Sequence, residues 1–438
     1  MNAQPVMVRI SIVFVLLQLF AFGCVNAQPS FPVDEQAGKY PQELLSHIEN
    51  WNEHQPTAQQ RPSTYIEIDQ LAFYENIRLI KQKILSDESK LMVVIKSDGY
   101  GHGLKLLGTV AEIAGADYFG ITENSSLLIM KKMQLNTPIA RLRLASNDEL
   151  AEVHSKPEVY GDVEEMVGNI QMVELLSKLG GQQGRHIKIH LNLNTGGMSR
   201  NGFDLKVQEI QDQMVSLLSL PNIQVAGIMT HFPNADAKDI QETRTALAHF
   251  KKQADWIIEN SNLKREDVLL HVANTSATLR LPEAHLDMVR VGSLNFGEKL
   301  EDEAPDSLQQ LMSVYSRVGQ INFYPKGSPV GYGGSYVLQR DSYLANIPIG
   351  KNNGIPRDLV EVLIGGKRYP MVGSMSMNTT MIDITDGHEG IESGDEVVIF
   401  GRQAQDEIRV EEHWRSTISD IHSFMGQLNQ KARYAKSH

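Results

Sequence analysis

Residues 93–103 read Val93-Val94-Ile95-Lys96-Ser97-Asp98-Gly99-Tyr100-Gly101-His102-Gly103. A short apolar run ends at Lys96, and a glycine-rich turn then leads into an amphipathic segment, which is typical of a strand followed by a helix. In parallel β/α proteins the carboxyl end of each strand faces the active site. A lysine in such a partly desolvated place loses proton affinity, so its amine can attack a carbonyl. The alternative is a strand-end lysine whose ammonium group simply reaches water.

The succession of strand and helix is repeated along most of the chain. Short β-branched runs predict strands at 91–95, 118–121, 139–144, 186–193, 225–229, 268–272 and 289–294, with 166–170 as the poorest candidate. Apolar spacings of three and four predict helices at 71–84, 104–114, 170–179, 207–218 and 240–260. Such alternation over about 230 residues predicts an α/β fold, namely a (β/α)8 TIM-type barrel, which we assign to residues 63–300.

The pattern changes after residue 300. Alternating apolar segments, separated by Gly and Pro turns, predict strands at 314–323, 344–349, 359–364 and 396–400. Because these strands follow one another without intervening helices, we expect a mainly antiparallel C-terminal β-domain at 301–438.

The first 27 residues have the pattern of a secretory signal peptide. Arg9 precedes an apolar run at 10–23, and Val25-Asn26-Ala27 is a small-residue cleavage pattern. The run is shorter than the ~20 residues that a spanning helix needs, which disfavours the alternative of a membrane anchor. We therefore predict a periplasmic protein without a membrane span in its mature form. Residues 28–62, rich in Gln, Pro and Glu, are predicted to be an N-terminal extension or linker.

Composition and cysteine content exclude several classes of protein. The net charge is −12, from 41 basic and 53 acidic residues, and would repel nucleic acid phosphates, so no nucleic acid partner is expected. The single cysteine, Cys24, lies in the signal segment, where an acylated lipoprotein terminus is the weaker interpretation. Once the signal segment is removed, the mature chain contains no cysteine, and so no disulfide, cysteine nucleophile or thiolate metal site. We predict no metal.

The run from Val93 to Gly103 resembles the cofactor-lysine motif of the alanine racemase family, and the rest of the chain is most similar to the broad-specificity, periplasmic amino acid racemases. The resemblance continues in order from about Ser63 to beyond Asp383. It implies that Lys96 binds pyridoxal 5′-phosphate. It also implies that Tyr100 contacts the phosphate of that cofactor.

Two later motifs complete the expected cofactor site. They read His271-Val272-Ala273-Asn274-Thr275 and Met288-Val289-Arg290-Val291-Gly292-Ser293, and each follows or ends a predicted strand. Hydroxyl groups and free backbone N–H groups in barrel loops suit phosphate oxygens. The resemblance implies that phosphate is held by Thr275, Gly292 and Ser293, with Arg290 facing the pyridine nitrogen.

An arginine at that nitrogen has a chemical consequence. A guanidinium does not give up its proton, so it leaves the pyridine unprotonated and the cofactor a weaker electron sink. This favours quick return of a proton over decarboxylation. Thr230-His231-Phe232 matches the family's histidine beside the cofactor, and we expect His231 to link Arg290 with a catalytic tyrosine.

Val330-Gly331-Tyr332-Gly333 resembles the catalytic tyrosine motif of the family. Racemisation needs one group on each face of the α-carbon, one removing a proton while the other supplies one. Lys96 is expected on one face and Tyr332 on the other. In family members this tyrosine comes from a second subunit, so the resemblance implies a homodimer with shared active sites.

Departures from the family pattern concern the substrate. Arg200 matches the arginine that binds the substrate carboxylate. Asn192, however, stands where the family commonly has a carbamylated lysine that supports this arginine. We therefore expect a bound anion such as chloride beside Arg200, in place of the missing carboxylate. Met377 and Asn378 match the loop that confines the substrate side chain, where Asp is usual at the second position in alanine-specific members. These departures favour a broad range of substrates.

The sequence thus predicts a two-base racemase, an isomerase acting on free basic and small aliphatic amino acids. Three alternatives remain open: a strict alanine racemase, a pyridoxal-phosphate-dependent amino acid decarboxylase, and a cofactor-carrying binding protein that has lost turnover.

Overall fold

The computed structural model describes residues 38–56, 60–86, 88–196, 200–355, 360–413 and 433–436. The predicted signal peptide and the first ten residues of the predicted extension, 28–37, lie outside this range. All elements described below belong to one compact unit, Pro41–Lys436.

Eight parallel strands form a barrel and follow the first strand, β1 (Tyr65–Ile68). They are β2 (Lys90–Val94), β3 (Tyr118–Ile121), β4 (Ile139–Arg141), β5 (Glu164–Val167), β6 (Ile187–Asn192), β7 (Ile223–Met229), β8 (Leu269–His271) and β9 (Met288–Val291). Their order is β8-β7-β6-β5-β4-β3-β2-β9. Two backbone hydrogen bonds join the end strands, from Asp287 N–H to Leu270 O (3.1 Å) and from Arg290 N–H to Ala273 O (2.9 Å). The predicted α/β barrel is therefore confirmed.

Helices connect and cover these strands. They are Gln70–Leu79, Leu104–Ile113, Asn124–Met133, Asn147–His154, Pro157–Tyr160, Ile170–Gln183, Gln208–Leu217, Gln241–Glu259 and Thr275–Arg280, preceded in the chain by Gln42–Glu53. Several begin at polar caps: Asp69, Asn169 and Asn274 each accept a hydrogen bond from a backbone N–H of the first turn. In the described part of the chain no helix is both long and apolar enough to cross a membrane.

The remaining strands form an antiparallel domain. They are β10 (Met312–Arg317), β11 (Ile321–Tyr324), β12 (Pro329–Val330), β13 (Tyr336–Val337), β14 (Ser342–Ile347), β15 (Glu361–Ile364), β16 (Lys367–Val372), β17 (Thr380–Asp383), β18 (Glu396–Gln403), β19 (Asp406–Ile408) and β20 (Arg433–Ala435). The main sheet has the order β11-β14-β17-β16-β15-β18-β10-β1-β20, and its described pairs are antiparallel except β1 with β20. A short helix, Val410–His413, follows β19. The predicted β-domain is confirmed.

Three predicted elements differ from the observed ones. The poorest strand candidate, predicted at 166–170, is observed at Glu164–Val167. The prediction missed the start of this strand because its first two residues are glutamates, which are buried only because Arg141 and His190 bond to them. The predicted strand 314–323 is two strands, β10 and β11. Strand β1 pairs with β10, with Tyr65 opposite Tyr315, so the predicted interval 63–300 begins with a strand of the second sheet.

Candidate active site

A cavity of about 190 Å³ opens at the carboxyl ends of the barrel strands. Its polar lining includes eight residues that the sequence singled out: Lys96, Tyr100, Arg200, His231, Thr275, Arg290, Gly292 and Ser293. They come from β9 and from the segments that follow β2, β6, β7, β8 and β9. Apolar walls are provided by Val94, Leu142 and Met229. The barrel thus brings together residues separated by nearly 200 positions in the sequence.

Lys96 is held by an unusual backbone turn. Ser97, Asp98, Gly99 and Tyr100 all have φ between 52° and 64°, a left-handed turn that non-glycine residues adopt at a cost of roughly 1–2 kcal/mol each. The carboxylate of Asp98 accepts a hydrogen bond from Leu104 N–H (2.8 Å), which offsets part of this cost. The turn brings Lys96 Nζ to 5.6 Å from the centre of the Tyr100 ring.

The surroundings of Lys96 favour its neutral amine. Burial lowers the pKa of Lys96, and the nearby positive charge of Arg200 lowers it further, while Glu123 acts in the opposite direction. A larger fraction of this amine is therefore unprotonated at neutral pH than for an exposed lysine. The residue can act as a nucleophile and as a base.

The turn after β9 forms a close contact with Tyr100. A Cβ atom added to Gly292 would lie 2.5 Å from Tyr100 Oη, so only glycine permits this approach. Gly292 N–H also donates to Thr275 Oγ1 (3.0 Å). Burial, and secondarily Glu298, raises the pKa of Tyr100, so its hydroxyl remains a hydrogen-bond donor. Together with Ser293, these groups form a small cradle of hydroxyl and backbone N–H groups.

Arg290 is fixed by acceptors on two neighbouring strands. Its Nη1 donates to His271 O (2.8 Å) and to His271 Nδ1 (3.1 Å), and its Nη2 donates to Thr230 O (2.8 Å) and Val272 O (3.0 Å). These bonds use the four Nη hydrogens, and among the described residues the Nε–H has no partner. Burial, followed by the charge of Arg200, lowers the pKa of Arg290 to about 9, so it is still a cation at pH 7.

His231 lies beside this guanidinium. Its Nδ1 is 3.5 Å from Arg290 Nη2, at the limit of a hydrogen bond. Burial and the charges of Arg200, Arg290 and Lys96 lower the pKa of His231 well below its ordinary value. The imidazole is therefore neutral at pH 7, and its Nδ1 can accept a hydrogen bond from Arg290.

Asn192 makes a hydrogen bond to the residue that follows Arg200. Asn192 does not line the cavity; its Nδ2 donates to Asn201 O (2.6 Å), directly after Arg200. Among the described residues, Arg200 Nη1 is a buried donor without a partner, and Asn192 Oδ1 is a buried acceptor without one. Arg200 Nη1 is therefore suited to an anion, while Asn192 is bonded to the backbone of Asn201. The chloride itself stays a prediction.

Besides Asn192, three further predicted residues do not line this cavity within a single chain. Tyr332 is 71% exposed and Met377 is 54% exposed, and Asn378 is also exposed; all three belong to the β-domain. The expected role of Tyr332 therefore requires that it reach the cavity of another copy.

Sequence reasoning gave no role to His271, the side chain that accepts a hydrogen bond from Arg290. The signal was present, since His271 lies within the strand predicted at 268–272, and the structure buries it fully. A polar side chain in the middle of an apolar strand pattern usually has a buried partner.

The cavity fits pyridoxal phosphate at three separate points. A lysine amine suits its aldehyde, the cradle of Tyr100, Thr275, Gly292 and Ser293 suits its phosphate, and the free Nε–H of Arg290 suits its ring nitrogen as an acceptor.

Comparisons with known proteins agree with this geometry. Residues 68–299 match the family model "Alanine racemase, N-terminal domain", and residues 311–431 match "Alanine racemase, C-terminal domain". The chain is 37% identical to a broad specificity amino-acid racemase of Pseudomonas taetrolens, over 85% of this chain and 90% of the relative. It is 38% identical to a lysine racemase of Proteus mirabilis, over 80% and 84% of the two chains.

Solved structures share the fold. An alanine racemase from Streptomyces lavendulae superimposes with a TM-score of 0.76 and 25% identity, covering 88% of this chain and 98% of the other. An alanine racemase from Bartonella henselae, described with covalently bound pyridoxal phosphate, gives 0.71 and 22%, covering 86% and 100%. Because the family models match most of the chain, and the relatives do so at well over 30% identity, this protein belongs to the alanine racemase family.

Proposed function

We propose that this protein is an isomerase that racemises free amino acids, basic as well as small aliphatic ones, with pyridoxal phosphate as cofactor. One observation carries the proposal. A single cavity at the barrel mouth holds the amine of Lys96, a phosphate cradle around Gly292, and Arg290, whose Nε–H has no hydrogen-bond partner among the described residues.

Two of the protein's own groups move the proton. Bound pyridoxal phosphate withdraws electrons from the substrate and makes its α-proton acidic. The lowered pKa of Lys96 allows its amine to remove or return that proton on one face. On the opposite face we assign this role to Tyr332, supplied by the second protomer of a homodimer.

Arg290 decides between racemisation and decarboxylation. A fully buried guanidinium with all four Nη hydrogens engaged has a fixed direction, and it offers a donor to an unprotonated ring nitrogen. This limits electron withdrawal by the ring, which favours proton return over the loss of carbon dioxide. Arg200, whose Nη1 has no partner in the described part of the chain, is suited to a carboxylate oxygen of the substrate.

The broad range is supported by two observations. Relatives named as broad specificity amino-acid racemase and lysine racemase match over most of their length. Met377 and Asn378, at the position of the loop that confines the substrate, are exposed rather than packed into the protein.

A substrate panel tests this function. Purified protein is incubated with L-lysine, L-arginine or L-alanine, and the product is separated by chiral chromatography. We expect each to become a mixture of enantiomers and the protein to show the visible absorbance of lysine-bound cofactor. Lys96→Ala should lose both, whereas Lys90→Ala, at the exposed start of the same strand, should lose neither.

Other outcomes would contradict specific parts of the proposal. Reaction of alanine alone would exclude the broad range, and release of carbon dioxide would revive a decarboxylase. Bound cofactor without α-proton exchange in deuterated water would indicate a binding protein.

We also propose export to the periplasm, supported by the apolar segment that follows Arg9 and by Ala27 at its end. The mature chain should be recovered in the osmotic-shock fluid of expressing cells. A cytosolic chain that still carries Met1 would contradict export.

A further inference from the structure

A continuous chain of buried polar side chains leads away from Arg290 across the barrel interior. Arg290 Nη1 lies 3.1 Å from His271 Nδ1, His271 Nε2 lies 2.9 Å from His190 Nδ1, and His190 Nε2 lies 2.8 Å from Glu164 Oε2. The four residues belong to β9, β8, β6 and β5. The three beyond Arg290 are no more than 4% exposed.

Strand β7 makes room for this chain. A Cβ atom at Gly227 would lie 2.2 Å from His190 Nδ1 and 3.1 Å from His271 Nε2. Any side chain at this position would therefore displace the contact between the two imidazoles. The rings meet edge to face, at an interplanar angle of 89°. The absence of a side chain on β7 is thus part of the arrangement.

The hydrogen bonds permit only one placement of protons. A guanidinium only donates, so His271 must accept at Nδ1 and carry its proton on Nε2. That N–H is directed at His190 Nδ1, so His190 also carries its proton on Nε2 and donates it to Glu164. The reverse direction would bring two donors together at Arg290. Both imidazoles are therefore neutral, with their lone pairs directed towards the cation.

We propose that Glu164 and His190 are positioning residues, which hold His271 in its Nε2–H form and thereby hold Arg290 with its Nε–H directed into the cavity. Their effect on the cofactor rests on the proposed function. Their effect on His271 does not, because it depends only on this chain.

The charges agree with this arrangement. Among the described residues no ion pair joins Arg290 to a carboxylate, so Glu164 is coupled to it only through the two imidazoles. Burial raises the pKa of Glu164, but the hydrogen bond from His190, together with Lys188, outweighs burial and lowers it overall. Lys188 Nζ lies 3.2 Å from Glu164 Oε1, and Tyr118 also hydrogen-bonds to Glu164. The terminal acceptor is therefore a carboxylate.

Neutron diffraction from deuterated crystals of the full-length, cofactor-free protein tests the proton arrangement directly. We expect deuterium on Nε2 and none on Nδ1 in both His271 and His190. Deuterium on His271 Nδ1 would overturn the proposal, whatever the protein does with a cofactor.

Variants test the consequence for Arg290. In Glu164→Leu, His190 loses its acceptor and can turn its proton towards His271, so we expect pyridoxal phosphate to bind about tenfold more weakly. Glu164→Gln keeps an acceptor oxygen and should stay closer to the wild type. His154→Gln alters another buried histidine that contacts a glutamate in the barrel, Glu165, and should leave cofactor affinity unchanged.

The outcomes separate the two proposals. If the wild type binds no pyridoxal phosphate, the proposed function fails while the proton arrangement can still be observed. If Glu164→Leu folds and binds the cofactor as tightly as the wild type, the positioning role is refuted. If that variant does not fold, the neutron structure and Glu164→Gln decide. Deuterium on Nε2 of both imidazoles, with cofactor affinity in Glu164→Gln close to that of the wild type, supports the role, and deuterium on His271 Nδ1 refutes it.

Discussion

At the scale of single residues, Gly292 is the position where one added methyl group has the clearest effect. Its Cβ would lie 2.5 Å from Tyr100 Oη, closer than non-bonded atoms approach. In Gly292→Ala the phenol must move out of the phosphate cradle, at a cost of about 1–3 kcal/mol for such overpacking. We expect cofactor affinity, measured by absorbance titration of the cofactor-free protein, to fall about tenfold or more.

Gly390→Ala is the matched control for this prediction. Gly390 is exposed, and a Cβ atom there would meet nothing within 4 Å. This variant should titrate like the wild type. Equal affinities for Gly292→Ala and the wild type would show that the cradle around Tyr100 does not hold the phosphate.

The sequence was informative for residues that follow predicted strands. Lys96, His231 and Thr275 could be placed together because the carboxyl ends of parallel strands share one face of a barrel. The partners of Arg290 could not be found in this way. His190 lies 81 positions from His271 and 26 positions from Glu164, so their contacts depend on strand register, which a single sequence does not reveal.

At the scale of elements, periodicity predicted the type of most helices and strands but not their irregularities. The helix predicted at 71–84 is α-helical only to Leu79 and continues as a π-helical turn, Ile80–Ile84. The turn at 97–100 is left-handed although three of its four residues are not glycine. Only Gly99 signalled a special conformation there, because Ser, Asp and Tyr rarely adopt positive φ.

Strand β1 shows why the domain assignment was harder than the element prediction. All four of its residues are buried, so neither alternation nor composition distinguishes a barrel strand from a strand of the second sheet. Strand β1 belongs to the sheet of the β-domain, strands β2 to β9 form the barrel, and β10 then pairs with β1 in the first of these sheets. The chain therefore crosses between the two sheets twice, after β1 and before β10, and both sheets belong to one compact unit.

At the scale of the whole molecule, the β-domain exposes apolar side chains that a second copy could cover. In the described part of the chain, six of the nine exposed large hydrophobic residues belong to this domain: Phe323, Tyr332, Tyr336, Val337, Val360 and Met377. Exposed apolar groups concentrated in one region are typical of an interaction surface. Two of them, Tyr336 and Val337, lie close to Tyr332 in the chain, which supports the proposal that Tyr332 completes the site of a partner.

In the proposed homodimer, each active site combines Lys96 of one protomer with Tyr332 of the other. Chains with Lys96→Ala and chains with Tyr332→Phe should each be inactive as homodimers. When the two are co-refolded in equal amounts, half of the dimers are mixed, and each mixed dimer contains one site with both native residues. We predict recovery of about a quarter of wild-type racemase activity. No recovery, in a sample whose mixed dimers are demonstrated by differential tagging, would contradict the claim.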